Sequence, residues 1–320
     1  MHPYTPQLGS LRETKKADQA HPLPHAVAAA TGCALCHCRV LRSSCNNFVF
    51  DPGRSGKNCN WQDELGIGQN TNSCHLGVSL VECDKTNYGK ASAMKLNRFA
   101  VYYTPHRGAL AEFGAAWLGW DIASGKSVAH PQLAHLPIPV ANITATPHKY
   151  GFHATIKPPF RLADGHSFTA LQGALETLCK GLSPVQTEGL CLTQLGRFLA
   201  LTVRNPPPAL LALARTAVKD LDQFRAPASA RELARRRQSN LSARQEALLV
   251  NWGYPYVLDE FRFHMTLTGK LSKSNAPAVL SALEPILSPL ITPFCLDALS
   301  LVGEDDTGRF HEISRFILSG

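Results

Sequence analysis

Two stretches 111 residues apart constrain this chain more than anything else in it: Phe152-His153-Ala154-Thr155-Ile156-Lys157 and Phe261-Arg262-Phe263-His264-Met265-Thr266-Leu267-Thr268. Each offers a histidine with a threonine two positions on. Successive side chains of an extended strand point to opposite faces. His153 and Thr155 therefore share a face with Lys157, leaving Phe152, Ala154 and Ile156 on the other. The second stretch divides the same way. Phe261, Phe263, Met265 and Leu267 form an apolar face that needs covering, and Arg262, His264, Thr266 and Thr268 form a polar one.

Histidine changes charge near neutral pH, so two imidazoles facing one site can act as base and acid in a single cycle. A hydroxyl beside each can donate to a non-bridging phosphoryl oxygen that gains charge. Neither strand supplies a carboxylate or thiolate, and threonine is a poor partner for metals that favour imidazole. No metal or cofactor is therefore expected. A blander origin stays open, because His-x-Thr is short and a strand histidine is commonly a hydrogen-bonded core or edge residue. Against that, only these two of the thirteen histidines have threonine at the second position after them, and each sits in an apolar strand directly behind a phenylalanine.

The rest of the chain alternates strands and helices. A strand over 98–103 leads to a helix over 108–120, and 121–147 reads as a long, proline-punctuated loop or a broken helix. The first histidine strand is expected to stop at Pro158-Pro159. A helix follows over 167–181, then strands over 185–195 and 198–203 turned by Gly196-Arg197. Asn205 is expected to cap a helix running to about Phe224. Residues 225–250 read as helical and basic. Arg231 and Arg235, one turn apart, could face a ligand together or form a solvated face. After the second histidine strand come a helix over 275–287 and strands around 294–301 and 310–318. This order predicts an α+β or two-lobed α/β protein with mostly antiparallel sheets.

The first 93 residues differ, with seven of the ten cysteines and little apolar periodicity. Three readings compete for them. Cys33-x-x-Cys36-x-Cys38, with His37, Cys45 or the pair Cys74-His75, offers one zinc knuckle where two well-separated ones are usual. Arg12, Lys15 and Lys16 ahead of Ala26 to Ala30 and Cys33 resemble a secretory signal with too short an apolar core. The preferred reading makes Met94 the natural start and residues 1–93 a disordered or upstream-translated extension. Gly53-x-x-Gly56-Lys57-Asn58 fails the phosphate-loop pattern in spacing and in its last residue.

A net charge of +8 favours anionic ligands such as phosphates, phosphorylated sugars or RNA. From Met94 onward the surplus is modest, 23 basic against 17 acidic residues, which weakens an RNA reading. No apolar run approaches the ~20 residues that span a bilayer, so a soluble, cytoplasmic protein with no membrane partner is expected.

The stretches Lys149-Tyr150-Gly151-Phe152-His153-Ala154-Thr155-Ile156-Lys157-Pro158-Pro159-Phe160 and Asp259-Glu260-Phe261-Arg262-Phe263-His264-Met265-Thr266-Leu267-Thr268-Gly269 resemble the paired motifs of the two-histidine (2H) phosphoesterase superfamily. More narrowly they resemble its branch associated with phosphonate-utilisation operons. The strand 98–103, the segment 230–236 and Trp252-Gly253-Tyr254-Pro255-Tyr256 extend the likeness over about 94–320. The resemblance implies a bilobal fold: two mostly antiparallel sheets with flanking helices around a central cleft. It implies metal-free opening of cyclic phosphodiesters, with His153 as acid, His264 as base, and Thr155 and Thr266 on phosphoryl oxygens. Arg262, Lys157, Lys149 and Tyr150 become secondary candidates for substrate charge. The expected partner is a small phosphorylated substrate. The alternatives are an RNA end-processing 2',3'-cyclic phosphodiesterase and a phosphate-ligand sensor without turnover.

Overall fold

The structure, a computed structural model, describes residues 94–133, 136, 138–291 and 293–320. The cysteine-rich segment and every reading attached to it lie outside the described residues. Seven strands form one sheet: β1 (Arg98–Tyr103), β4 (Ala154–Phe160), β6 (Leu190–Leu195), β7 (Phe198–Val203), β8 (His264–Thr266), β10 (Ala298–Glu304) and β11 (Phe310–Ile317). Their order is β11-β10-β1-β4-β8-β7-β6, and each neighbouring pair is antiparallel. Two short two-stranded pairs stand outside it, a hairpin of β2 (Trp120–Asp121) with β3 (Lys126–Ser127), and the sequence-distant β5 (Val185–Thr187) with β9 (Phe294–Leu296).

The two lobes show up as two halves of this sheet, joined edge to edge where Ala154 of β4 pairs with Met265 of β8. That joint is the narrowest point in the sheet, and it falls between the two histidine motifs.

Three helices cover one face. In chain order the helices are α1 (Ala109–Leu118), α2 (Val140–Thr144), α3 (Phe168–Lys180), α4 (Pro208–Asp220), α5 (Ala230–Arg237), α6 (Ala243–Trp252) and α7 (Asn275–Leu287). α3 packs on β10 and β11, α4 on β4, and α7 on β6 and β7. The large apolar cluster between these layers takes Phe152, Ala154 and Ile156 from one histidine strand and Phe263, Met265 and Leu267 from the other. Through the His-x-Thr motifs the alternation read from sequence is thus the division between core and cleft. Lys157, expected on the face of His153, instead pairs with the core residue Val101 after a register shift and reaches α4. Burying a side chain such as Met265 contributes about 1.5–3 kcal/mol, so a one-residue slip that turned a histidine inward would be strongly disfavoured.

Three local expectations change. β4 runs through Pro158 and Pro159 to Phe160. It can do so because the β1–β4 register shifts along this stretch and β8 pairs with β4 only at Ala154, so few ladder bonds are demanded of the prolines. Asn205 does not cap α4. It has φ 44° and donates to the Glu188 carboxylate, while Pro207 and Pro208 begin the helix without a side-chain cap. The basic stretch is two helices, each opened by a capping box, Ser229 with Glu232 and Ser242 with Gln245.

Candidate active site

The opposite face of the sheet, part of it buried in a second apolar cluster with Trp120 and Ile122, carries the polar sides of both motifs. Antiparallel pairing of Ala154 with Met265 sets His153 across from Thr266 and Thr155 across from His264. Each histidine therefore faces the other motif's threonine. The two histidines are diagonal neighbours, a relation that puts Cβ atoms ~7–8 Å apart. A phosphoryl group fits between side chains so placed.

Each imidazole is oriented by the backbone of its own strand. His153 Nδ1 lies 2.9 Å from the Gly151 carbonyl oxygen and His264 Nδ1 lies 2.8 Å from that of Arg262. A carbonyl can only accept, so Nδ1 carries the proton in both rings and Nε2 is the nitrogen left for chemistry. Thr155 Oγ1 is 3.1 Å from His153 Nε2, and its hydroxyl donates to that nitrogen in the neutral ring. His264 Nε2 has no hydrogen-bond partner among the described residues.

The Gly151 carbonyl is in place because of that glycine. Its φ is +70°, a conformation L side chains rarely adopt, and a Cβ there would meet Ile122 Cβ at 2.6 Å. Gly114 of α1 performs a second close approach, since a Cβ would meet the Phe152 ring at 2.0 Å. Both glycines position the chain immediately around His153.

Below His153 lies Tyr102, with ring centroids 3.7 Å apart at an interplanar angle of 18°. Tyr150 tilts toward the same imidazole at 6.2 Å and stacks on Phe310 at 5.3 Å. Burial among these rings pushes the His153 pKa down to about 4, opposed by the Gly151 hydrogen bond and reinforced by His264. Tyr102 is almost fully buried, and desolvation holds its hydroxyl well above the usual phenol range. His264 is flanked by Phe198 at 6.0 Å and by Thr202, its direct partner on β7.

The remaining candidates scatter. Lys149 is exposed, with Nζ 4.9 Å from the Tyr150 ring centroid. Arg262 is exposed, and its carbonyl, not its charge, serves His264. Lys157 is buried, and its ammonium donates to the Val218 carbonyl at 2.9 Å and to Asp222 at 3.1 Å. Desolvation lowers its pKa to about 8, against the pull of Asp222. The geometry gives Lys157 a partner at the end of α4 and no open ammonium.

Several residues missed in the sequence line this face. Arg98, Ala100 and Tyr102 alternate onto it from β1, and Arg98 makes a two-pronged ion pair with Glu304 that raises its pKa. The Arg236 guanidinium lies 4.3 Å from the Tyr254 ring centroid, and both interact electrostatically with Tyr150. β1 is apolar on both faces apart from Arg98, so no alternation marked Tyr102.

Core packing alone gives no reason for two halves of a sheet to bring an imidazole and a hydroxyl each to the same seam. Such a layout agrees with the resemblance of the two motifs to those of the 2H phosphoesterases. Residues 155–311 match the family described as "Protein of unknown function (DUF1045)". The chain is 36% identical over 239 residues to a protein named ribose 1,5-bisphosphate phosphokinase PhnN from Janthinobacterium sp. (strain Marseille), covering 72% of this chain and 53% of that protein. It is 34% identical over 224 residues to one of the same name from Laribacter hongkongensis (strain HLHK9), covering 69% and 51%. The chain thus spans about half the length of these curated relatives. Solved structures similar to it include one titled a phosphoesterase (16% identity, TM-score 0.34, 71% of this chain and 100% of that one). Another is E. coli LigT complexed with 3'-AMP (16% identity, TM-score 0.33, 71% and 100%). Among the described residues no helix is long and apolar enough to cross a membrane.

Proposed function

We propose that this chain hydrolyses a cyclic phosphodiester by acid–base chemistry shared between His153 and His264, without a metal. The observation that carries the reading is the pair of matched Nδ1–carbonyl bonds, at 2.9 and 2.8 Å, which leave Nε2 of both rings for proton transfer at one seam.

The low pKa of His153 reverses the roles expected from the sequence. An imidazole held neutral by burial is ready to accept a proton, so His153 is the base and His264 the acid. Water gives its proton to His153 Nε2 as its oxygen bonds to phosphorus. The bond from phosphorus to one ring oxygen of the cyclic ester breaks, and that oxygen takes the second proton of a charged His264 imidazolium, carried on Nε2. The product is a phosphomonoester beside a free hydroxyl. As substrate enters, the Thr155 hydroxyl turns from His153 Nε2 to a non-bridging oxygen and Thr266 donates to another, where charge grows in the transition state.

The names of the relatives and the likeness to the phosphonate-operon branch support a substrate from phosphonate metabolism, such as a ribose cyclic phosphate. The phosphokinase activity in those names is not carried over. The Gly125-Lys126-Ser127 sequence joins β2 to β3 in a hairpin, whereas a phosphate loop connects a strand to a helix.

The test is turnover of ribose 1,2-cyclic phosphate and 2',3'-cyclic nucleotides with chelator present, in the wild type and in His153→Ala and His264→Ala. Hydrolysis that survives chelator and is lost in both variants supports the reading. Hydrolysis restored only by added metal overturns the metal-free mechanism, and ligand binding without product at any pH points to a sensor.

A further inference from the structure

Beside the histidine seam, an open cavity of about 660 Å³ is lined by Arg98, Arg161, Arg231 and Arg235 together with Glu232 and Glu304. A smaller neighbouring cavity shares Arg98, Arg161 and Arg235 and adds Arg225 and Arg236. We propose that this arginine cavity binds a second phosphate of the substrate, a terminal phosphate monoester on the part of the molecule that does not react. The proposal rests on the cyclic-phosphodiester reading for what happens at the other end, but phosphate binding by the arginines can be measured without turnover.

The pairing of charges separates this cavity from an ordinary solvated helix face. Where basic side chains of α5 and α6 point to solvent they meet carboxylates, Arg237 with Glu246 at 2.6 Å and Arg244 with Asp259. In the cavity Arg98 is held by Glu304, and Arg161 is held by Glu232 at 2.8 and 3.0 Å. Arg231 and Arg235 have no hydrogen-bond or ion-pair partner among the described residues. Unpaired cations gathered in one hollow repel each other, and an anion placed among them offsets that repulsion. The supports are built in as well. The Ser229–Glu232 capping box and the Arg161–Glu232 pair fix the start of α5 beside the end of β4, so Arg231 and Arg235 are presented one turn apart from an anchored helix.

The cavity and the proposed reaction centre lie along the same face of β1. Arg98 and Tyr102 lie four residues apart on one face of β1, ~13 Å along the strand, and Tyr102 stacks on His153. Phe310 bridges the interval, 5.9 Å from the Arg98 guanidinium and 5.8 Å from the Tyr102 ring. That separation, less the reach of an arginine side chain, suits the two ends of a phosphorylated pentose. The volume falls within the ~300–1,000 Å³ of small-ligand sites, and the arginines are confined to one hollow. Binding of an RNA strand would call for an extended basic groove with stacking platforms.

The experiment titrates inorganic phosphate by calorimetry into the full chain, into His153→Ala/His264→Ala, and into Arg231→Ala/Arg235→Ala. Both arginines are exposed, so the last variant should fold. A site that persists without the histidines and weakens at least tenfold without the arginines is expected. In parallel, ribose 1,2-cyclic phosphate is compared with and without a 5-phosphate. A kcat/KM preference of tenfold or more for the phosphorylated member, falling toward one in the arginine variant, is expected. Phosphate binding unaffected by the arginine variant overturns the proposal, as does hydrolysis without that preference. Faster turnover of a short RNA end, with the same arginine dependence, replaces it with a nucleic-acid groove. Arginine-dependent binding with no turnover of any substrate supports the anion site and sinks the hydrolase reading.

Discussion

The two histidine strands carry one motif in two different settings. The β4 copy is enclosed: Tyr102 stacks on the imidazole at 3.7 Å, Thr155 occupies its Nε2, and the carbonyl that orients it comes from a glycine at φ +70°. The β8 copy is also half-buried but less crowded by rings, with Phe198 6.0 Å away, no partner at Nε2 among the described residues, and an orienting carbonyl from the exposed Arg262. The shared motif puts two imidazoles at one seam, and the proposed mechanism draws its division of roles from their unequal surroundings. The lowered proton affinity of His153 comes from its burial among neighbouring rings, not from the motif itself.

The largest expected effect is common to both halves. His153→Ala and His264→Ala should each lower kcat by about 10²–10⁴-fold. The double variant should fall little further, since the pair acts as a unit. A single-turnover assay checks this, and a His264→Ala enzyme that kept near-normal rates would break the pairing. The threonines come next. Thr155→Val and Thr266→Val should each cost up to about 10²-fold in kcat, within the scale of a lost oxyanion donor. KM should move less.

A smaller effect sharpens the contrast in backbone. Gly151→Ala forces a strained φ and a 2.6 Å approach to Ile122, a cost of about 1–3 kcal/mol readable by chemical denaturation, together with reduced turnover. Arg262→Ala keeps its carbonyl, so His264 should stay oriented and stability should hardly change.

The smallest effect is on titration. NMR should find His153 titrating near 4 in the free protein, and Tyr102→Leu, which lets water closer, should raise that value. The sign for stability follows. Between about 6.5 and 4 the unfolded chain binds a proton at this position that the folded chain refuses, so stability falls as pH drops through that window. His153→Gln should remove that part of the slope.

The histidine strands were legible because strand alternation holds through both motifs; it breaks at Lys157, which the β1–β4 register shift beyond Thr155 pairs with the core residue Val101. Phe152, Ala154, Ile156, Phe263, Met265 and Leu267 all enter the core as their spacing demands. α3 was legible from its apolar stripe, and the structure adds a Ser167 cap that accepts from the Ala170 amide. Pro158-Pro159 misled because a proline stops a strand only where a ladder bond is required of it, and that depends on partners distant in sequence. Lys157 misled for a related reason, since its acceptors on Val218 and Asp222 arrive with a helix over sixty residues later. Tyr102 and the Arg98 end of the cleft gave no periodic signal at all. Arg231 and Arg235 were visible as a pair, but their lack of partners appears only once the carboxylates of α6 and its surroundings are placed.

The central claim is that an enclosed His153 accepts the proton and a less crowded His264 donates it. The pH dependence of kcat/KM, measured with chelator on a 2',3'-cyclic nucleotide or ribose 1,2-cyclic phosphate, tests this most directly, because it reports the essential groups of the free enzyme. The account predicts that activity persists as pH falls below 6.5 and is lost only near 4, as His153 becomes protonated. Activity that rises as pH falls through 4, or an acid limb at the ordinary histidine value of about 6.5, would contradict it.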